Sequence, residues 1–244
     1  MQRSARQLSA ILGTVACGMV VPFGAACSDL GPASDHIADD ALVTGSPAVI
    51  EIHNGSGSVR VTPGDAVHVH REIAYRSHAP AAVPDRADGT LVLSAECDRC
   101  RIDYTVTAPA STKVVIFGSS GSVDVEGVSQ VTYRGVSGSA TIRKIAGPVD
   151  VQSGSGSVTV SDVAPTVTAT TTSGNIGIDL STAPNRLTAH SGSGHVSVTV
   201  PAHPYRIETH TDSGSVHNKI PDTAGAADTL TVDSGSGDID LATP

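Results

Sequence analysis

The sequence predicts an all-β chain, a single-stranded parallel β-solenoid (β-helix) of roughly 18–20-residue rungs behind an N-terminal signal peptide. Three observations predict it. A Ser-Gly turn followed by alternating aliphatic residues recurs, with the turn-forming glycines at Gly57, Gly121, Gly138, Gly156, Gly174, Gly194, Gly214 and Gly237. From Gly121 onward the steps are 17, 18, 18, 20, 20 and 23 residues. The apolar residues are small: there is no Trp, with two Phe and four Tyr among 244 residues. Such residues suit a narrow space between stacked strands better than a globular core, which uses aromatics for volume.

The elements follow in order. Residues 1–26 read as a signal peptide, with Arg3 and Arg6 ahead of an uncharged stretch that ends in Ala25 and Ala26. Gly13, Gly18, Pro22 and Gly24 interrupt that stretch and argue against a spanning helix. The sequence into Cys27 resembles a bacterial lipobox, although Gly24 stands where Leu is usual. Cys27 is therefore the expected lipidation site and membrane anchor. Cys17 is the second candidate; processing there would leave the apolar stretch from Met19 to Phe23 on the mature chain. Ordinary secretion is the alternative. Residues 27–45 carry Gly31, Pro32 and the acids Asp29, Asp35, Asp39 and Asp40 without periodicity, and are expected to form a flexible acidic tether.

Residues 46–244 form the repeat domain, with irregular rungs over 46–113 and regular rungs over 114–241. Alternation puts Val158 and Val160 on one face and Thr159 on the other. By the same rule Val149, Val151 and Ser153 point inward, as do Val167, Ala169 and Thr171, Leu187 and Ala189, Ile207 and Thr209, and Leu230 and Val232. Glycine permits positive φ at each turn, and serine hydroxyls can bond the turn backbone. Between Gly57 and Gly121, strand-like pieces lie at 67–70, 90–93 and 102–106, with 77–88 looping out. Asp238, Asp240 and Pro244 are expected to blunt a C-terminal edge. An antiparallel sandwich is the structural alternative, but it has no reason to repeat its turn chemistry.

The serial copies at Gly57–Val61, Gly121–Val125, Gly156–Val160 and Gly194–Val198 resemble those of the bacterial putative-adhesin family (domain of unknown function 4097). The resemblance spans about residues 46–241. It includes Val106–Pro109, similar to the family's V-x-x-P lead into the regular rungs. It implies an envelope-exposed β-solenoid without known catalytic residues.

The formal net charge of −9 argues against a nucleic-acid partner, which needs clustered cations. Cys97 and Cys100 are expected to form a structural disulfide. A redox pair would need a helix after the motif, where 101–106 reads as strand, and a zinc site would need a second Cys pair. His53, His190 and His210 each stand four residues before a turn glycine, in an outward column with Arg134, Gln152, Thr170 and Asp233. By sequence order His190 and His210 lie on consecutive rungs, about one strand spacing apart, so a surface metal ladder is geometrically possible; a solvated ladder without metal is the expectation. His195 and His217 lie just past the same turns. Residues after the turns (Ser58, Ser157, Asn175, His195, Ser215, Asp238) lack the serial Asp of calcium repeats. No G-x-S-x-G elbow occurs, and Asp124 and Asp150 are expected to be surface charges. No catalytic residue and no cofactor are therefore expected. The expected role is an adhesion or binding surface toward an envelope protein or glycan. An accessory or sensory subunit of an envelope membrane protein is the alternative, and a glycan-active enzyme ranks third.

Overall fold

The computed structural model describes residues 35–84, 86–94, 100–163 and 165–244. The signal peptide, Cys17, Cys27 and Cys97 lie outside them. The described residues contain twenty strands and no helix. The first six are β1 Asp35–Val43, β2 Pro47–Ser56, β3 Val59–Pro63, β4 Val67–Tyr75, β5 Gly89–Ser94 and β6 Arg101–Ala108. Then a long strand and a short one alternate: β7 Lys113–Ser120 and β8 Val123–Glu126, β9 Gln130–Ser137 and β10 Ala140–Arg143, β11 Val149–Ser155 and β12 Val158–Ser161. The series continues with β13 Thr166–Ser173 and β14 Ile176–Asp179, β15 Arg186–Ser193 and β16 Val196–Thr199, β17 Arg206–Ser213 and β18 Val216–Asn218, β19 Thr229–Ser236 and β20 Ile239–Ala242. Long strands join a nine-stranded sheet and short ones an eleven-stranded sheet. Each long strand and the short strand after it make one rung.

Rungs pair in parallel and in register. Val149 faces Val131 and Val167, and Ile142 faces Val125 and Val160. Inward residues therefore stack into aliphatic columns: Val131, Val149, Val167, Leu187 and Leu230 are all at most 1% exposed, and both sheets feed one core cluster. Burying a Val or Leu side chain contributes about 1.5–3 kcal/mol, so the stack is held by many equal increments rather than by a few large side chains.

The turn glycine is required for two reasons at once. Gly138 has φ +121°, and a Cβ there would overlap the carbonyl oxygen of Gly121 in the neighbouring rung. Its N–H donates to Ser155 O at 2.9 Å on the other side. Turns thus stack backbone on backbone. Three residues before the glycine, an inward hydroxyl donates to the turn of the next rung: Ser191 Oγ to Gly174 O at 2.9 Å, Ser234 Oγ to Gly194 O at 3.0 Å. In β2–β3 the buried amide of Asn54 stands at that position, and two of the regular rungs have no side chain there. Gly118 and Gly135 occupy the position, and the buried ring of Tyr133 fills the space; a Cβ on Gly135 would overlap it.

The N-terminal end departs from expectation. Residues 35–43 are not tether but β1, paired antiparallel with β4 along its whole length. The acids that looked solvated include a core partner: Asp39 accepts from Arg71 Nε at 2.8 Å and also from its Nη2, and Arg71 is 2% exposed. That hydrogen-bonded carboxylate, working against burial, raises the Arg71 pKa and keeps the guanidinium charged. Over 46–113 the expected run of parallel rungs is also corrected. Only β2–β3 and β5–β6 are rungs; β4 pairs antiparallel with β6 and has no partner strand in the other sheet. β1 and β4 account for the difference between eleven strands and nine.

Both ends depart from sequence order. The nine-stranded sheet runs β17-β19-β15-β13-β11-β9-β7-β2-β5. The last rung, β19–β20, therefore lies between β15–β16 and β17–β18, and the first, β2–β3, lies between β5–β6 and β7–β8. Asp238 and Asp240 consequently blunt no edge. The outer rung is β17–β18, whose inward Ile207 and Thr209 are only half-buried and whose outward face carries Arg206, Glu208, His210 and Asp212. Asp222 Oδ1 accepts the Ile207 N–H at 3.0 Å, covering part of that edge.

Candidate functional site

The outer face of the nine-stranded sheet carries a column four residues before each turn glycine. Its register runs Ser94, His53, Phe117, Arg134, Gln152, Thr170, His190, Asp233, His210. The column contains every residue the sequence placed there. It also contains Phe117, which sequence reasoning missed although it stands four residues before Gly121. His190 and His210 are not neighbours: Asp233 lies between them, because β19 is inserted between their strands. His210 bonds Asp212 at 2.9 Å, while His195 and His217 share the Asp240 carboxylate at 3.1 and 3.2 Å. Among the described residues no group of three or more His, Cys, Asp or Glu is arranged to hold a metal ion. Cys100 is disulfide-bonded, and Cys97 lies outside the described residues.

Where β2, β5, β7 and β9 meet, the column borders a depression of about 630 Å³. Phe117 is 40% exposed and stacks on His53 with ring centroids 4.9 Å apart and planes at 20°. Val92 and Val136, 47% and 66% exposed, stand on either side. A second depression of about 370 Å³ shares Arg134 and Val136 and continues over β11 and β13, past Gln152, Thr170 and Thr172. The two adjoin at the shared Arg134 and Val136 and make one trough, into which the outward positions Gly55 and Gly154 project no side chain.

The charges beside the trough are paired. Arg134 Nη2 lies 2.5 Å from Asp150 and its Nη1 donates to Tyr133 O at 3.0 Å, while His53 lies 2.5 Å from Glu51. The outer face of the other sheet is an ion-pair lattice, with Arg143 on Asp124 and Glu126 and Lys144 on Glu126. Asp124 and Asp150 thus lie on different sheets, each with an arginine partner, and form no acid pair. A further depression of about 450 Å³ crosses β1, β4 and β6 over Ala38 and Ala74. At its rim burial would raise the Asp103 pKa. Hydrogen bonds from Arg101, the Ser58 N–H and the Ser58 hydroxyl outweigh burial and hold the carboxyl below the usual Asp value.

Parallel rungs closed by stacked glycine turns, offering a long face, define a repeat protein with an extended surface. The chain belongs to the family described as Toastrack DUF4097, whose model matches residues 48–243. It is similar in fold to a crystal structure of a putative adhesin from Bacteroides fragilis, at 16% identity and TM-score 0.52, covering 87% of this chain and 99% of that one. A crystal structure of a putative cell adhesion protein from Clostridium sporogenes matches at 13% identity and TM-score 0.41, covering 86% of this chain and all of the other. No curated protein matches the chain.

Proposed function

We propose that the protein is an exported, non-enzymatic binding module of the cell envelope. Its rungs wind as a single-stranded parallel β-solenoid, and it presents the outer face of the nine-stranded sheet to a partner. One observation carries this reading: an exposed aromatic ring and two exposed valines line a trough that is continuous across six strands. Monomeric surfaces seldom expose such a patch without use. The leader pattern of residues 1–26 supports export, and the adhesin label of the Bacteroides fragilis relative fits a surface role. Lipidation at Cys27 would hold the domain at the outer face of the cytoplasmic membrane.

In-cell crosslinking of the tagged full-length chain, with identification of what is captured, tests the role. The expected result is capture of an envelope component that is lost in a Gly55→Leu variant. Gly55 has open space around its Cβ position and no positive φ, so leucine fills the trough without straining the fold. Capture that ignores this substitution refutes the trough as the binding surface. The anchor is tested separately: a Cys27→Ala chain is expected to leave the membrane fraction, and retention there refutes lipidation.

A further inference from the structure

We infer that the trough takes a neutral, extended glycan chain, with one sugar ring lying against Phe117. The inference rests on the binding-surface reading above and names its ligand class.

Shape points to a polymer. The trough crosses β5, β2, β7, β9, β11 and β13, which at about 4.8 Å per strand makes it about 24 Å long. It is open along its length, so it encloses no small molecule but can seat a chain.

Backbone chemistry argues against an extended peptide. Peptide strands are recognised by main-chain hydrogen bonds at a sheet edge. This trough lies on a face, across strands that, apart from the edge strand β5, are paired in parallel ladders on both sides. Recognition there falls to side chains. Ser94, Ser119, Gln152, Thr170 and Thr172 supply hydroxyl and amide groups that donate and accept, as sugar hydroxyls do. One face of the Phe117 ring is taken by His53, and the 40% of the residue that stays exposed offers apolar aromatic surface to the C–H groups of a pyranose.

Charge argues for neutrality. Arg134 and His53 are both committed to carboxylates, so the trough offers no free cation to a polyanion. The net charge of −9 repels an acidic chain further.

The test is titration calorimetry of the full-length protein with hexasaccharides of β-1,4-linked N-acetylglucosamine and of β-1,4-linked glucose. The corresponding monosaccharides, an acidic oligogalacturonate and an extended peptide serve as comparisons. At least one neutral hexasaccharide is expected to bind, with its monosaccharide weaker by about tenfold or more. Phe117→Ala is expected to weaken binding by about tenfold. Gly55→Leu is expected to abolish it with an unchanged melting temperature. Thr159→Leu, exposed on the opposite sheet, is expected to leave it unchanged. The inference is overturned if neither neutral hexasaccharide binds, if their binding survives Gly55→Leu, or if only the acidic oligomer or the peptide binds. Should the neutral glycans fail while cellular capture still depends on Gly55, the ligand class falls and the binding-surface reading stands. Should capture be indifferent to Gly55, that reading falls as well.

Discussion

At the scale of single residues, Tyr133 and Gly135 are one feature written at two positions. The neighbouring rung places Val151 and Ser153 at the matching sites, a small residue followed by an inward hydroxyl. A large ring at Tyr133 leaves room only for glycine two residues on. Gly135→Ser is expected to cost about 1–3 kcal/mol through overpacking. Adding Tyr133→Val should recover part of that loss, and a double-mutant cycle in urea checks the coupling. Asp103 makes a second residue-level prediction. Its folded pKa is lowered, so its contribution is fully present above the unfolded value of about 3.9 and is lost as pH falls through the folded pKa. The wild-type melting temperature should therefore fall more steeply below about pH 4 than that of Asp103→Asn. Equal slopes would remove Asp103 from the acid response. Phe117 shows how a site residue escapes sequence reasoning: the column rule reaches it, but an outward aromatic among polar neighbours gives no sign of exposure until the register sets it beside His53 and Arg134.

At the scale of the element, the regular rung was legible because two physical constraints write themselves into the chain at fixed spacing. Parallel stacking demands period-two apolar residues, and the tight turn demands glycine. Gly138→Ala meets both the positive φ and the adjacent Gly121 carbonyl. It is expected to destabilise by about 1–3 kcal/mol in thermal unfolding, more than Gly55→Leu, which meets neither. β1 was illegible for the opposite reason. Three of its nine residues are acids, which read as solvated, and only the pairing with β4 turns Asp39 inward toward Arg71. Removing that carboxylate in Asp39→Ala would leave a buried guanidinium without its partner. The expected loss is about 3 kcal/mol, read from the shift of the denaturation midpoint.

At the scale of the whole molecule, the period gave the number of regular rungs but not their order, since identical edges accept any neighbour in register. The β19 inward residues match β15 as well as they match β17, so composition cannot say which rung goes last. What distinguishes them is the outer rung's tolerance of solvent, with Glu208, His210 and Asp212 outside and threonines within. A chain ending at Asp228 is expected to lose amide-exchange protection in β15–β16 as well as in β17–β18. A stack in sequence order would keep those four strands paired. The inserted rung also orders events in time. A ribosome makes β17–β18 before the surface on which those strands rest, because β19 and β20 follow them in the chain. The far end of the molecule therefore cannot close on a chain interrupted before Thr229. Such a fragment keeps open parallel edges that proteases and chaperones recognise, so closure certifies that translation has passed β20.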